Sequence, residues 1–136
     1  MNTKRFIIAS VVVFVVYQVI DYLVNGVILM GTYEALKHIW RPEADMKSLM
    51  WIFYPIGLVV SFLFVYIFIK GYEGKGILEG LRYGIWIGLF VSIPGTFSQY
   101  VIYPIPFSLA IQWFIYWMIQ FIIIGLVAAA IYKPKA

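Results

Sequence analysis

The sequence predicts an all-α integral membrane protein, an antiparallel bundle of four transmembrane helices forming one domain over residues 1–136. Three observations carry that expectation. Of the 136 residues, 64% are hydrophobic and only 12% charged, whereas a soluble domain has about half apolar and roughly 25% charged residues. The apolar residues fall into four runs, each close to the roughly 20 residues that cross a hydrocarbon core. The basic residues sit as pairs or singles beside those runs, as topology determinants do. So few charges cannot cover a water-soluble globule, and they suffice if most of the surface faces lipid.

The first run, 6–30, is 25 residues long. Lys4 and Arg5 precede it as they would a signal peptide, but the apolar region of a signal is only about 7–15 residues and ends in small residues. The run therefore reads as a retained helix. The segment 31–48 is the only sizeable polar stretch. Thr32 is expected to cap a short interfacial piece over 33–40, which Arg41-Pro42 would end, and Asp45 is expected to cap the next helix.

The second span, 49–69, carries no charge, and Pro55 in its second turn predicts a bend. The connector 70–75 is short and glycine-rich, which predicts that the second and third helices are neighbours. The third span, 77–102, should break at Pro94-Gly95. Tyr103-Pro104-Ile105-Pro106 is a tight uncharged turn, and the fourth span covers 107–132.

Orientation follows from the basic residues. Lys4, Arg5, Lys70, Lys75, Arg82, Lys133 and Lys135 share one side; Lys37, Arg41 and Lys47 share the other, offset by Glu34, Glu43 and Asp45. Seven against three places both termini in the cytoplasm of a prokaryotic inner membrane. The net charge of +4 is thus a matter of topology, and nucleic acid is not an expected partner. Membrane lipid, other membrane subunits or a second copy of the chain are. There is no cysteine, which excludes disulfides and thiolate metal sites.

The most specific pattern is Gly76, Gly80, Gly84 and Gly88, continued by Ser92 and Thr96, all four residues apart. Each helical glycine costs about 1 kcal/mol against alanine in water, so the run needs a reason. Small residues at this spacing form a groove into which another helix backbone fits. Packing inside the bundle is the leading expectation, ahead of contact between copies.

Asp21 is the only acidic residue deep in an apolar run. It lies roughly 10 Å inside the core at 1.5 Å per residue, where a charged carboxylate costs about 2.5–3.5 kcal/mol. It must be protonated, paired or turned toward other helices. Gln18 and Asn25 share its face, three and four residues away. Asp21 is either a proton or cation site or interhelical glue, and the sequence weighs the two evenly. On the fourth helix Gln112, Tyr116 and Gln120 form a matching stripe beside Trp113 and Trp117. With Gln99, Tyr100 and Tyr103 they could line an outward cavity for water, a lipid headgroup or a quinone-like ring, or be satisfied core groups.

Lone His38 has no second His or Cys to share a metal, and no serine sits in a glycine elbow. Gly71–Gly80 lacks the Gly-Lys-Ser/Thr ending of a phosphate loop. No catalytic, metal or cofactor motif is expected.

Gly80, Gly84 and Gly88, then Pro106 and Leu109, then Gly125 with Ala128 to Ala130, resemble a domain-of-unknown-function family of small bacterial and archaeal four-span proteins. The resemblance covers 78–132. It implies the four-span topology and no activity. Where members carry an aromatic-Ser-Pro element late in the first helix, this chain has Asp21-Tyr22-Leu23-Val24-Asn25-Gly26. The expected function is a non-enzymatic structural, accessory or assembly subunit. A small carrier or channel using Asp21 is the alternative, and a lipid- or quinone-binding protein or enzyme a third.

Overall fold

The computed structural model describes residues 2–133; Lys135, one of the seven residues of the basic bias, lies outside them. The described chain is helical throughout, with no strand among the described residues. It runs through α1 (Thr3–Leu23), α2 (Met30–Ala35), α3 (Glu43–Leu49), α4 (Phe53–Lys70), α5 (Ile77–Ile102) and α6 (Phe107–Ile131).

The side chain of Asn2 starts α1 by accepting the Arg5 amide at 3.1 Å. At its far end α1 widens into a π turn, Val24–Ile28, closed by Leu29 N donating to Val24 O at 2.8 Å. Such a turn inserts one residue and frees a carbonyl of the preceding ladder. The short helix after it begins at Met30, so Thr32 lies inside α2 and caps nothing, and 36–40 form turns. Helix α3 begins directly after the extended Pro42, which places Asp45 in its first turn instead of at the cap. There its charge still complements the helix dipole.

A single 3₁₀ turn, Met50–Ile52, links α3 to α4, so 43–70 is one helical run of 28 residues. The expected proline bend resolves differently. Pro55 is the third residue of α4, where a missing N–H breaks no bond of that helix, and the irregularity precedes it. Pro94 likewise does not interrupt α5, which continues to Ile102. The lost bond is the one to the carbonyl of Phe90, whose side chain is 79% exposed, so no close-packed neighbour is disturbed there.

The runs 3–28, 43–70, 77–102 and 107–131 are 26, 28, 26 and 25 residues long, long and apolar enough to cross a membrane. Their outward surface is oily: Trp86, Phe90 and Val101 are 71%, 79% and 82% exposed. Polar residues are inside instead, with Ser10, Ser61, Ser92, Thr96 and Gln120 all buried.

Helices α5 and α6 make the most extensive pair, in opposite senses: Gly80 meets Gly125, Gly84 meets Phe121, and Gly95 meets Trp117. Helix α1 lies between α4 and α6. It meets α4 through Phe6 on Phe62 and Gly57 under Gln18, and α6 through Gln120. The neighbours expected from the short connector, α4 and α5, meet through aromatic side chains rather than close backbones. Tyr83 Oη donates to Phe64 O at 2.5 Å, and the two ring centroids are 4.7 Å apart. Two buried clusters result, one around Val13, Phe64, Phe121 and Ile124, the other around Val24, Leu29, Leu109 and Ala110.

Candidate functional site

Asp21 sits half-buried at the end of α1, where the α-helix gives way to the π turn. Its carbonyl accepts the Val24 amide and also the side-chain amide of Asn25, at 3.2 Å. The same Asn25 Nδ2 donates to Asp21 Oδ1 at 3.2 Å. Asn25 thereby directs its amide group at one residue and leaves its own oxygen for a partner eight residues further along the chain.

That partner is Tyr33. Tyr33 follows on α2, directly beyond the π turn, and its Oη donates to Asn25 Oδ1 at 2.5 Å. Tyr33 Oη in turn accepts from the indole of Trp113 on α6 at 2.7 Å. Trp40 Nε1 donates to the carbonyl of Tyr33 at 3.2 Å. The rings of Tyr33, Trp40 and Trp113 close a triangle with centroid separations of 5.9, 6.3 and 6.4 Å. Burial pushes the Tyr33 phenol up to about 12; the Trp113 hydrogen bond opposes this and the Asp21 charge reinforces it.

The order of donors is fixed by chemistry: Trp113 to Tyr33, Tyr33 to Asn25, Asn25 to Asp21. Indole and amide groups hold their protons at any working pH, so the chain orients the Asp21 carboxyl without serving as a proton wire. Asp21 reaches α6 only through these intermediaries. Its second oxygen has no hydrogen-bond partner among the described residues.

The other expected polar residues separate into smaller ties. Gln18 Nε2 lies on Gly57 of α4 and within 3.5 Å of Phe53 O. Gln120, 2% exposed, donates to Tyr17 O at 3.0 Å and so pins α6 to α1. Gln112 and Tyr116 are half-buried, and Tyr116 packs on the cluster around Leu29 and Leu109 without a side-chain hydrogen bond among the described residues. The six residues therefore do not converge on one point. His38 is exposed, and no group of three or more metal-ligating His, Asp or Glu side chains forms among the described residues.

The glycine face divides as well. Added Cβ atoms on Gly80 and Gly84 would collide with the α6 backbone, the latter 2.6 Å from Phe121 O. At Gly88 the obstacle is the flexible Met118 side chain, 2.9 Å away. Ser92 continues the face, fully buried, with its hydroxyl unpartnered. Gly76 is not part of it. That residue precedes α5, is exposed, and has φ of +83° with open space where a Cβ would be, so the turn and not helix packing calls for glycine.

Sequence reasoning missed Tyr33, Trp40 and Trp113 as one unit, and Glu79 as a staple. Tyr33 and Trp40 look like interfacial anchors, and nothing in their spacing announces the hydrogen bond to Asn25 or the ring contacts with Trp113. Glu79 is 8% exposed, and its carboxylate accepts Glu73 N at 2.6 Å and Lys75 N at 2.9 Å. It fixes the α4–α5 connector. No protein-family model matches the chain, and neither the curated proteins nor the solved structures contain a match to it.

Proposed function

We propose that the chain is an antiparallel four-helix integral membrane protein, with both termini cytoplasmic in a prokaryotic inner membrane, acting as a non-enzymatic accessory or assembly subunit. The observation that carries this reading is the engagement of its polar groups with one another. Trp113, Tyr33 and Gln120 use their donors to bind one helical segment to another, which is the behaviour of interhelical glue. The outward apolar residues, such as Trp86 and Val101, suit lipid or the helices of a partner subunit.

The test is purification from native membranes in mild detergent, with chemical cross-linking and mass spectrometry of associated chains. A stoichiometric membrane partner supports the reading. A chain that runs alone and catalyses a lipid or quinone conversion overturns it.

One observation favours a second reading, a proton- or cation-coupled carrier: the second oxygen of Asp21 has no hydrogen-bond partner among the described residues. Helical spacing puts Asp21 between Gln18, which reaches α4, and Tyr17, whose carbonyl is held by α6. An intramembrane carboxyl over such a seam is a natural coupling group. Uptake assays in proteoliposomes, with and without a pH gradient, separate it from the first reading.

A further inference from the structure

We propose that the inner end of the α1–α6 seam is a binding site for a phosphate-bearing anionic headgroup, that of a phospholipid of the inner leaflet. The inference rests on the membrane-spanning reading above and gives that surface a specific ligand class.

Four observations meet there. A cavity of about 450 Å³ opens between the start of α1 and the end of α6, lined by Asn2, Lys4, Arg5, Ile8 and Ile131. Two of its walls are cationic and two are branched aliphatic, the pairing a phospholipid needs: charge for the phosphate, apolar surface for the first carbons of an acyl chain.

Arg5 is also held in place. Its Nη1 donates to Ile131 O at 3.1 Å, which fixes the guanidinium against the end of α6 and leaves its other donors for a ligand. The main chain is tied across the same seam by Asn2 N donating to Tyr132 Oη at 3.2 Å, so the cavity has two anchored walls.

Finally, the charges are uncompensated. Among the described residues the ion pairs are Lys37–Glu34, Lys47–Glu43 and Lys75–Glu73, and none involves Lys4 or Arg5. Of the acidic groups assigned to the same membrane side, Glu73 is taken by Lys75 and Glu79 by backbone amides. Among the described residues, neither of these two exposed cations beside apolar walls has an anion to neutralise it. A guanidinium takes phosphate oxygens in a two-pronged fashion that an ammonium cannot match, so Arg5 is the specific contact and Lys4 the supplementary charge.

The experiment uses the full chain in nanodiscs of phosphatidylcholine with and without phosphatidylglycerol, followed by stepwise detergent stripping and native mass spectrometry of retained lipid. The wild type is expected to keep phosphatidylglycerol over phosphatidylcholine by on the order of tenfold. Lys4→Gln and Arg5→Gln should each lower that preference several-fold and together abolish it, while Lys37→Gln leaves it unchanged. Arg5→Lys keeps the charge and the fold and should fall between Arg5→Gln and wild type.

Equal retention of both lipids by wild type, or an undiminished preference in the double variant, overturns the site. A further arm adds inorganic phosphate: displacement of lipid at low millimolar concentration would assign the cavity to free phosphate instead. Resistance to alkaline carbonate extraction is measured on the same preparation. An extractable chain would sink the membrane reading itself, whereas an embedded chain without lipid preference sinks only the site.

Discussion

Gly80 and Gly125 face each other across the α5–α6 seam, and a Cβ built on either one falls on the carbonyl oxygen of the other. Neither helix can retreat without opening the seam along its length, because Gly84 lies against Phe121 and Ile122 in the next turn. Gly84→Leu should therefore destabilise the fold by about 1–3 kcal/mol or more, the usual cost of overpacking. Gly88→Ala should cost less, since a Met118 rotamer can yield. Thermal unfolding in mild detergent ranks the two, and equal midpoints would mean the seam is loose.

Tyr33→Phe should cost about 1–3 kcal/mol, because it strands both the Asn25 oxygen and the Trp113 indole. The same phenol predicts a pH dependence. Its folded value is raised from 10.0 to about 12, so its contribution is complete below pH 10 and lost as pH rises toward 12. The wild-type stability curve should fall in that window more steeply than the Tyr33→Phe curve. Parallel curves would show that the phenol is not tied.

Asp21→Asn keeps size and hydrogen bonding while removing the ionisable proton. If Asp21 only anchors Asn25, the variant should stay within about 0.5 kcal/mol of wild type, as a preserved contact allows. If Asp21 couples protons or cations, the fold should survive and any gradient-driven uptake should vanish. Unfolding midpoints and proteoliposome uptake, measured on one preparation, distinguish the outcomes.

Glu79→Gln should loosen the connector between α4 and α5, since each carboxylate oxygen accepts one amide, from Glu73 or Lys75, whereas glutamine keeps one acceptor oxygen and turns an NH₂ donor toward the other amide. Faster hydrogen exchange at residues 72–76, with α6 unchanged, is the expected readout. Unaltered exchange would mean that Gly74 and Gly76, at φ of +72° and +83°, hold the turn unaided.

The long helices were legible because their signals are local. Apolar length marks all four, and Gly76 and Pro106 directly precede α5 and α6. Spacing of four also placed Gly80, Gly84 and Gly88 on one face. The prolines were misread because Pro55 and Pro94 show what a bond loses and not what surrounds it: one falls in a first turn, the other beneath an exposed Phe90. Asp21 and Asn25 stood out as polar residues in an apolar run. Their link to Trp113 did not, since it runs through Tyr33 beyond the π turn and joins residues 80 apart in sequence, which leaves no periodic trace.

The placement of α6 has a consequence for biosynthesis. It packs on both α5 and α1, yet it follows all of the other helices in the chain. During translation α1 and α4 can pair alone, but Gln120 meets the Tyr17 carbonyl only after the ribosome has passed α6. Until then the half-made protein offers unpaired grooves to quality-control proteases and insertion chaperones. A released chain truncated before residue 120 should be a far better degradation substrate than one carried through residue 132.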